Sequence, residues 1–264
     1  MPEFTARDVQ ALRQATGAGM LDAKRALEAT GGDMEEAKQW LRVQGMAGAV
    51  KRADREAAEG VVALVSEGSA AAMAEVRCET DFVAKTPSVI AIAEQLADSA
   101  LHKGEESVSE LDGAVEELRI SLKENISVGT VVRFEAEDGA VIGTYLHSQA
   151  GRGVNGVLVE VAGGTEDLAH DIAVHIAFAR PSFVRRDDVP VKEVEAERAT
   201  VEQISRNEGK PEAALPKIVE GRMQGWFKER CLLDQPYVRD EKQTIGSLLG
   251  AAEVRRFSQL VVGG

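Results

Sequence analysis

Apolar positions change their spacing as the chain proceeds, and the spacing predicts its elements. Up to about residue 45 they recur three and four apart, as on one face of a helix. Val9, Leu12 and Ala15 form the first such stripe, and Met34, Ala37, Trp40 and Leu41 a later one, with a helix over Met20 to Ala29 between them. Thr5 with Asp8, and Asp33 with Glu36, have the spacing of capping boxes. Gly17 and Gly19 end the first helix, and Gly31-Gly32 the second. Residues 1–46 therefore read as a small three-helix unit with a thin core. Residues 47–60 alternate alanine with Lys51, Arg52, Asp54, Arg55 and Glu56, as a partly helical linker would.

From Val61 the spacing falls to two. Strands are expected at Val61–Val65 and Ala72–Val76, joined by a turn at Glu67-Gly68-Ser69. A helix from Ser88 to Leu101 follows, then another from Leu111 to Ile126 and a strand from Val128 to Ala136, closed by Glu137-Asp138-Gly139. The order then recurs: a strand Val141–His147, a turn Gly151–Gly156, a strand Val157–Val161, a helix Asp167–Ala179 and a late strand Val254–Val262. Residues 61–139 are thus one subdomain, and residues 140–186 with 231–264 a related one. Residues 187–230 interrupt the second with a charged helix carrying Val191, Val194, Ala199, Val201 and Ile204, a turn at Gly209-Lys210-Pro211, and a second helix Leu215–Arg230 with Pro216 in its first turn. The expected class is α+β: a three-helix module, two related antiparallel β/α subdomains and an inserted helical hairpin.

The two copies differ at one junction. Glu160-Val161 is followed only by Ala162-Gly163-Gly164-Thr165-Glu166 before its helix, whereas Glu75-Val76 is followed by the longer stretch Arg77 to Lys85. That stretch holds Thr80 and Asp81, good helix-capping types, and then Phe82-Val83. Phe82 fits two roles: a staple against the core, favoured by the local pattern alone, or a projecting wedge beside a carboxylate, favoured by the extra length in one copy.

Composition narrows the chemistry. The 264 residues are 44% hydrophobic and 28% charged, with a formal net charge of −13, as in a soluble globular protein. Arg185-Arg186 and Arg255-Arg256 are too short to form a phosphate-binding patch, so direct contact with nucleic acid is not expected. No apolar run is long enough to span a bilayer, and Met1-Pro2-Glu3-Phe4-Thr5 lacks the features of a secretory signal. The expected location is cytoplasmic, which deprives the sequon Asn125-Ile126-Ser127 of meaning and keeps Cys78 and Cys231 reduced. His170 and His175, five apart, share no helical face for a metal. Gly151-Arg152-Gly153-Val154-Asn155-Gly156 matches the dinucleotide fingerprint, but a strand follows it where the fingerprint needs a helix, so a hairpin turn is expected. Gly17 to Lys24 lacks the Gly-Lys-Ser/Thr of a phosphate loop, and Asp187-Asp188 reads as solvated charge. No catalytic residue, cofactor or metal site is expected.

Thr80-Asp81-Phe82-Val83-Ala84 resembles the signature of the elongation factor Ts family, guanine-nucleotide exchange factors for elongation factor Tu. Thr16 to Leu27 resembles the family's N-terminal module, and Glu220-Gly221-Arg222-Met223 with Gln235-Pro236-Tyr237-Val238 its C-terminal half, in the family's order over nearly the whole chain. The resemblance implies a ubiquitin-associated-like N-terminal module, an antiparallel coiled coil used for self-association in some members, and no enzymatic activity. It implies that Phe82 is a wedge, that Asp81 disturbs the partner's Mg²⁺ network, and that Thr80 and Val83 shape the turn. It also implies partner contacts at Arg13, Met20, Leu21, Lys24, His147, Val238 and Arg239, with GDP-bound and nucleotide-free elongation factor Tu as the partner. Many members have an apolar residue where this chain has Arg239. A further C-terminal helical module, present in some members, is not expected. Two readings compete with this one: an adaptor that binds ubiquitin-like partners through the first module, and a nucleotide-dependent oxidoreductase at Gly151–Gly156.

Overall fold

A computed structural model describes residues 4–264. Residues 1–3, part of the N-terminal stretch that lacks the features of a secretory signal, and the side chains at positions 47, 50 and 51 lie outside the described residues. The fold is mixed helix and antiparallel sheet. Helices α1 (Ala6–Thr16), α2 (Met20–Ala29) and α3 (Met34–Arg52) come first. Thr5 and Asp8 form a reciprocal capping box at α1, and Leu12, Ala23, Ala26, Leu27 and Ala37 make the small core. Asp33 caps α3 by accepting from the Glu36 N–H at 2.8 Å. Helix α3 runs on through the first part of the expected linker, and a Cβ at Gly45 would lie 2.3 Å from Ile120, so only glycine permits this approach.

Strands β1 (Glu59–Glu67) and β2 (Ala70–Cys78) pair, and β2 also pairs with β3 (Ser127–Glu135), giving a sheet of order β1-β2-β3. Between β2 and β3 lie a single turn α4 (Asp81–Ala84), then α5 (Pro87–Lys103) and α6 (Asp112–Leu122). A second sheet has the order β4-β5-β8, from β4 (Ala140–Gln149), β5 (Arg152–Ala162) and β8 (Glu253–Val261), with α7 (Glu166–Ala179) after β5. The layers run α5, first sheet, second sheet, α7. Val61, Ala63, Ala74 and Val76 face α5, whereas Val62, Met73, Phe134, Leu158 and Leu260 meet between the sheets. Val157, Val159 and Val161 face α7. Both faces of β1 and β5 are covered, which is why Val61–Val65 and Val157–Val161 are almost continuously apolar.

Helices α8 (Val191–Asn207) and α9 (Leu215–Arg230) form the inserted hairpin. Val201, Val219, Met223 and Phe227 pack between them, and Arg198–Glu220 and Arg222–Glu208 pair across their surface. A small ribbon, β6 (Pro236–Tyr237) with β7 (Asp240–Thr244), and the short α10 (Ile245–Leu249) lead into β8. The sequence pattern does not predict these three.

Some expectations need correction. Helix α5 starts at Pro87, a residue that suits a helix's first turn, and not at Ser88. Helix α6 stops at Leu122, four residues short of the expected end, because Lys123 adopts a left-handed φ of 60°. The six-residue turn expected at Gly151–Gly156 is a tight one, and β5 is already under way at Arg152. Gly153 is needed there because a Cβ would lie 2.2 Å from the Val62 carbonyl oxygen of the facing sheet.

Candidate functional site

The long junction of the first copy is built from both ends inward. β2 ends at the buried Cys78, whose thiol donates to the Thr80 carbonyl at 3.3 Å and is pushed up to about 11 by burial. Such a thiol stays protonated and unreactive. Thr80 is the N-cap of α4 and accepts from the Val83 N–H at 3.3 Å. Thr86 closes the other end, its hydroxyl donating to the Val83 carbonyl at 2.8 Å. Val83 packs against the α5 core and Ala84 is fully buried. A helical turn anchored on that side directs Phe82 the other way, and its side chain is 80% exposed. The staple reading of Phe82 therefore fails, since Val83 takes the inward place. Beside it, Asp81 receives a hydrogen bond from the Lys85 ammonium at 2.5 Å. That bond holds the Asp81 carboxyl below the usual carboxylate range.

Two groups of expected residues stand elsewhere. Met20 and Leu21 open α2 with exposures of 63% and 70%, while Ala23, Ala26 and Leu27 turn inward, so neither is core. Arg13 on α1 and Lys24 on α2 are exposed, and Lys24 lies 3.5 Å from Glu28. Asp22, next to Leu21, is ion-paired with Lys123 just beyond α6. On the second sheet His147 is exposed near the end of β4, within the strand, its Nδ1 3.4 Å from the Tyr145 hydroxyl. Val238 is half-buried against the α7 core and donates its N–H to His175 Nδ1 at 3.4 Å. Arg239 is exposed and paired with Asp171 of α7 at 2.5 Å.

Glu79 flanks the motif, and its local sequence context assigns it no role. Its carboxylate accepts from the Asn125 N–H at 2.7 Å and lies 3.4 Å from Arg55, so it ties the junction to two distant segments. Nothing in the local pattern signals contacts across such separations. Among the described residues no group of three or more histidine, cysteine or acidic side chains is placed to hold a metal. No helix among them is long and apolar enough to cross a membrane.

The family model described as Elongation factor TS matches residues 79–264. Proteins named Elongation factor Ts are similar over the full length. That of Clavibacter michiganensis subsp. michiganensis is 43% identical over 277 residues, covering 100% of both chains. That of Renibacterium salmoninarum is 43% identical over 280 residues, again 100% of both. That of Thermobifida fusca is 41% identical over 279 residues, covering 100% of this chain and 99% of its own.

Proposed function

The chain belongs to the elongation factor Ts family, and on that premise we propose that it is a guanine-nucleotide exchange factor for elongation factor Tu, speeding GDP release so that GTP can reload. An exchange factor makes and breaks no covalent bond. It acts by binding the partner's empty form better than its GDP form, since only differential affinity moves an equilibrium.

The observation that carries this reading is an aromatic ring 80% exposed on a turn fixed at both ends. Pushed between partner helices, Phe82 displaces the elements that hold Mg²⁺. Asp81 reaches the partner ionised, because Lys85 favours its charged form, and competes for the polar contacts of that network. Without Mg²⁺ the phosphate charge is less neutralised and GDP leaves faster. Thr80 and Val83 keep the turn in shape. Arg13, Met20, Leu21 and Lys24 dock the first module on the partner's nucleotide domain, and the apolar exposure of Met20 and Leu21 supports that assignment. His147, Val238 and Arg239 supply a second contact, for which Arg239 must exchange Asp171 for a partner group. On the same reading α1–α3 are a ubiquitin-associated-like module, and α8 with α9 an antiparallel coiled coil available for self-association.

Stopped-flow release of labelled GDP from elongation factor Tu tests the proposal. Catalytic amounts of the protein accelerate release. An unchanged release rate at saturating protein would overturn the assignment.

A further inference from the structure

Resting on that reading, we propose that Glu124 is a positioning residue for exchange: it fixes the Asp81-Phe82 turn and mounts it on the segment that also holds the first module. Lys123, with φ 60° and ψ 30°, swings the chain away from α6 and brings Glu124 under the junction. There Glu124 Oε2 accepts the backbone N–H groups of Glu79 and Thr80, both at 3.1 Å, and Oε1 accepts the Thr80 hydroxyl at 2.6 Å. Those two N–H groups lie beyond the last β1–β2 pair, Glu59 with Cys78, so the sheet does not satisfy them. A charged acceptor holds such donors about twice as strongly as a neutral one.

The third bond sets the cap. A Thr80 hydroxyl that donates to Glu124 must turn its lone pairs to the Val83 N–H, which it accepts at 3.3 Å. The α4 cap, and with it the direction of Phe82, thus depends on Glu124. The clamp is reciprocal, because the next residue, Asn125, donates its N–H to Glu79 at 2.7 Å. The Asn125 side chain donates to the Ala53 and Arg55 carbonyls at 3.0 and 2.7 Å, gripping the chain between α3 and β1.

The same segment carries the module. Lys123 pairs with Asp22, beside Leu21, Ser121 lies 3.7 Å from where a Cβ on Gly17 would be, and Ile120 abuts Gly45. Two separate docking elements, Met20-Leu21 and Asp81-Phe82, therefore share one mount. Glu124 itself belongs to no hydrophobic cluster. The sheets and α5 have their own cores, so a role in holding the tip is separable from a role in holding the fold.

The test uses the full chain in two measurements. Amide hydrogen exchange reads the tip directly: in Glu124→Ala the Glu79, Thr80, Val83 and Ala84 amides lose protection, while those of β1, β2 and α5 keep theirs. Stopped-flow GDP release at saturating protein reads the consequence. Glu124→Ala slows release by about tenfold, the scale of a modest misplacement of an acting group. Glu124→Gln gives an intermediate loss: its amide oxygen still accepts both N–H groups, but its NH2 group cannot accept the Thr80 hydroxyl proton that orients the cap. In a Phe82→Ala background Glu124→Ala causes a much smaller further loss, the part that passes through Asp81. The proposal is overturned by wild-type release in Glu124→Ala, by an equal fractional loss in the Phe82→Ala background, by unchanged amide protection, or by loss of the fold in both Glu124 variants. If the wild-type chain itself fails to speed GDP release, the exchange reading falls and the hydrogen-exchange arm still decides whether Glu124 holds the tip.

Discussion

The two strand–strand–helix copies agree closely in their interior and part company at one surface. In each, the third strand bulges opposite a glutamate of the central strand. Val131 to Val128 spans three steps where Ala74 to Val76 spans two, and Val254 with Arg256 flanks an extra Arg255 opposite Glu160-Val161. Glu75 and Glu160 both lie on the inter-sheet face and are 5% and 1% exposed. Each is paired: Glu75 with Arg77 at 2.9 Å, and Glu160 with Arg256 at 2.7 Å and Arg255 at 3.4 Å. Each also accepts a backbone N–H, from Thr130 and Glu137 respectively. Past these shared features the second copy turns straight into α7, with Thr165 as its cap. The first inserts α4 and exposes Phe82. Packing requirements kept the interiors alike. Val83 and Ala84 of the inserted turn pack inward, but Phe82 is left 80% exposed, and that points to what the turn presents.

The sharpest test of the shared interior is to remove the two acids. Glu160 is the more enclosed and serves two guanidinium groups. Burial pushes its carboxyl up, but the Glu137 N–H and then Arg256 and Arg255 outweigh that and hold it below the usual range. Glu160→Ala costs about 3 kcal/mol of stability, since it removes several hydrogen bonds to one enclosed carboxylate. Glu75, with one guanidinium, costs about half as much, on the scale of a hydrogen bond to a charged group. Urea denaturation of both variants measures the difference. Equal losses would make the copies equivalent despite their unequal pairing, and no loss in either would make the shared acids incidental.

The interior was legible in the sequence because strands buried on both faces leave long apolar runs. The three-helix start was legible from its caps and glycines. The ribbon β6–β7 was not, since strands of two and five residues, the second wholly polar, give no period. The Phe82 side chain was ambiguous for a physical reason. A capped turn after a strand places one of two neighbouring apolar residues inward, and spacing alone does not say whether Phe82 or Val83 takes that place. Glu124 was invisible for another: its three acceptor bonds reach residues 44 and 45 positions away.

A smaller effect separates the junctions themselves. Phe82→Ala lowers GDP-release activity by roughly thirtyfold, about 2 kcal/mol, the scale of an interface hot spot. Thermal stability stays near wild type, because an 80% exposed ring contributes little to the fold. A melting temperature far below wild type, with normal release per folded molecule, would return Phe82 to the core and erase the functional contrast between the copies.

The smallest effect concerns acid, and it distinguishes the two helices. The buried positions of α5 are all apolar, from Val89 to Leu101, whereas α7 buries His175 among Ile172, Ala173 and Ile176. Its Nε2 donates to the Gln235 side-chain oxygen at 3.0 Å, and its Nδ1 accepts the Val238 N–H. Both bonds suit the neutral ring. Burial holds His175 below its ordinary value of 6.5, only partly opposed by Gln235. A depressed histidine gives stability that is fully present above the unfolded-state value and is lost as pH falls through the folded one. Acidifying from about pH 7.5 to about pH 5.5 therefore lowers the melting temperature of the wild-type protein. The Glu160 contribution does not fade in that window, because a lowered carboxylate loses its stabilising charge only at more acidic pH. His175→Gln removes the titrating group and flattens the acid slope, even if its starting stability is lower. Amide exchange at the acid end should release α7 while α5 stays protected. An identical slope in His175→Gln, or α5 opening first, would show that the acid sensitivity does not reside in the second copy.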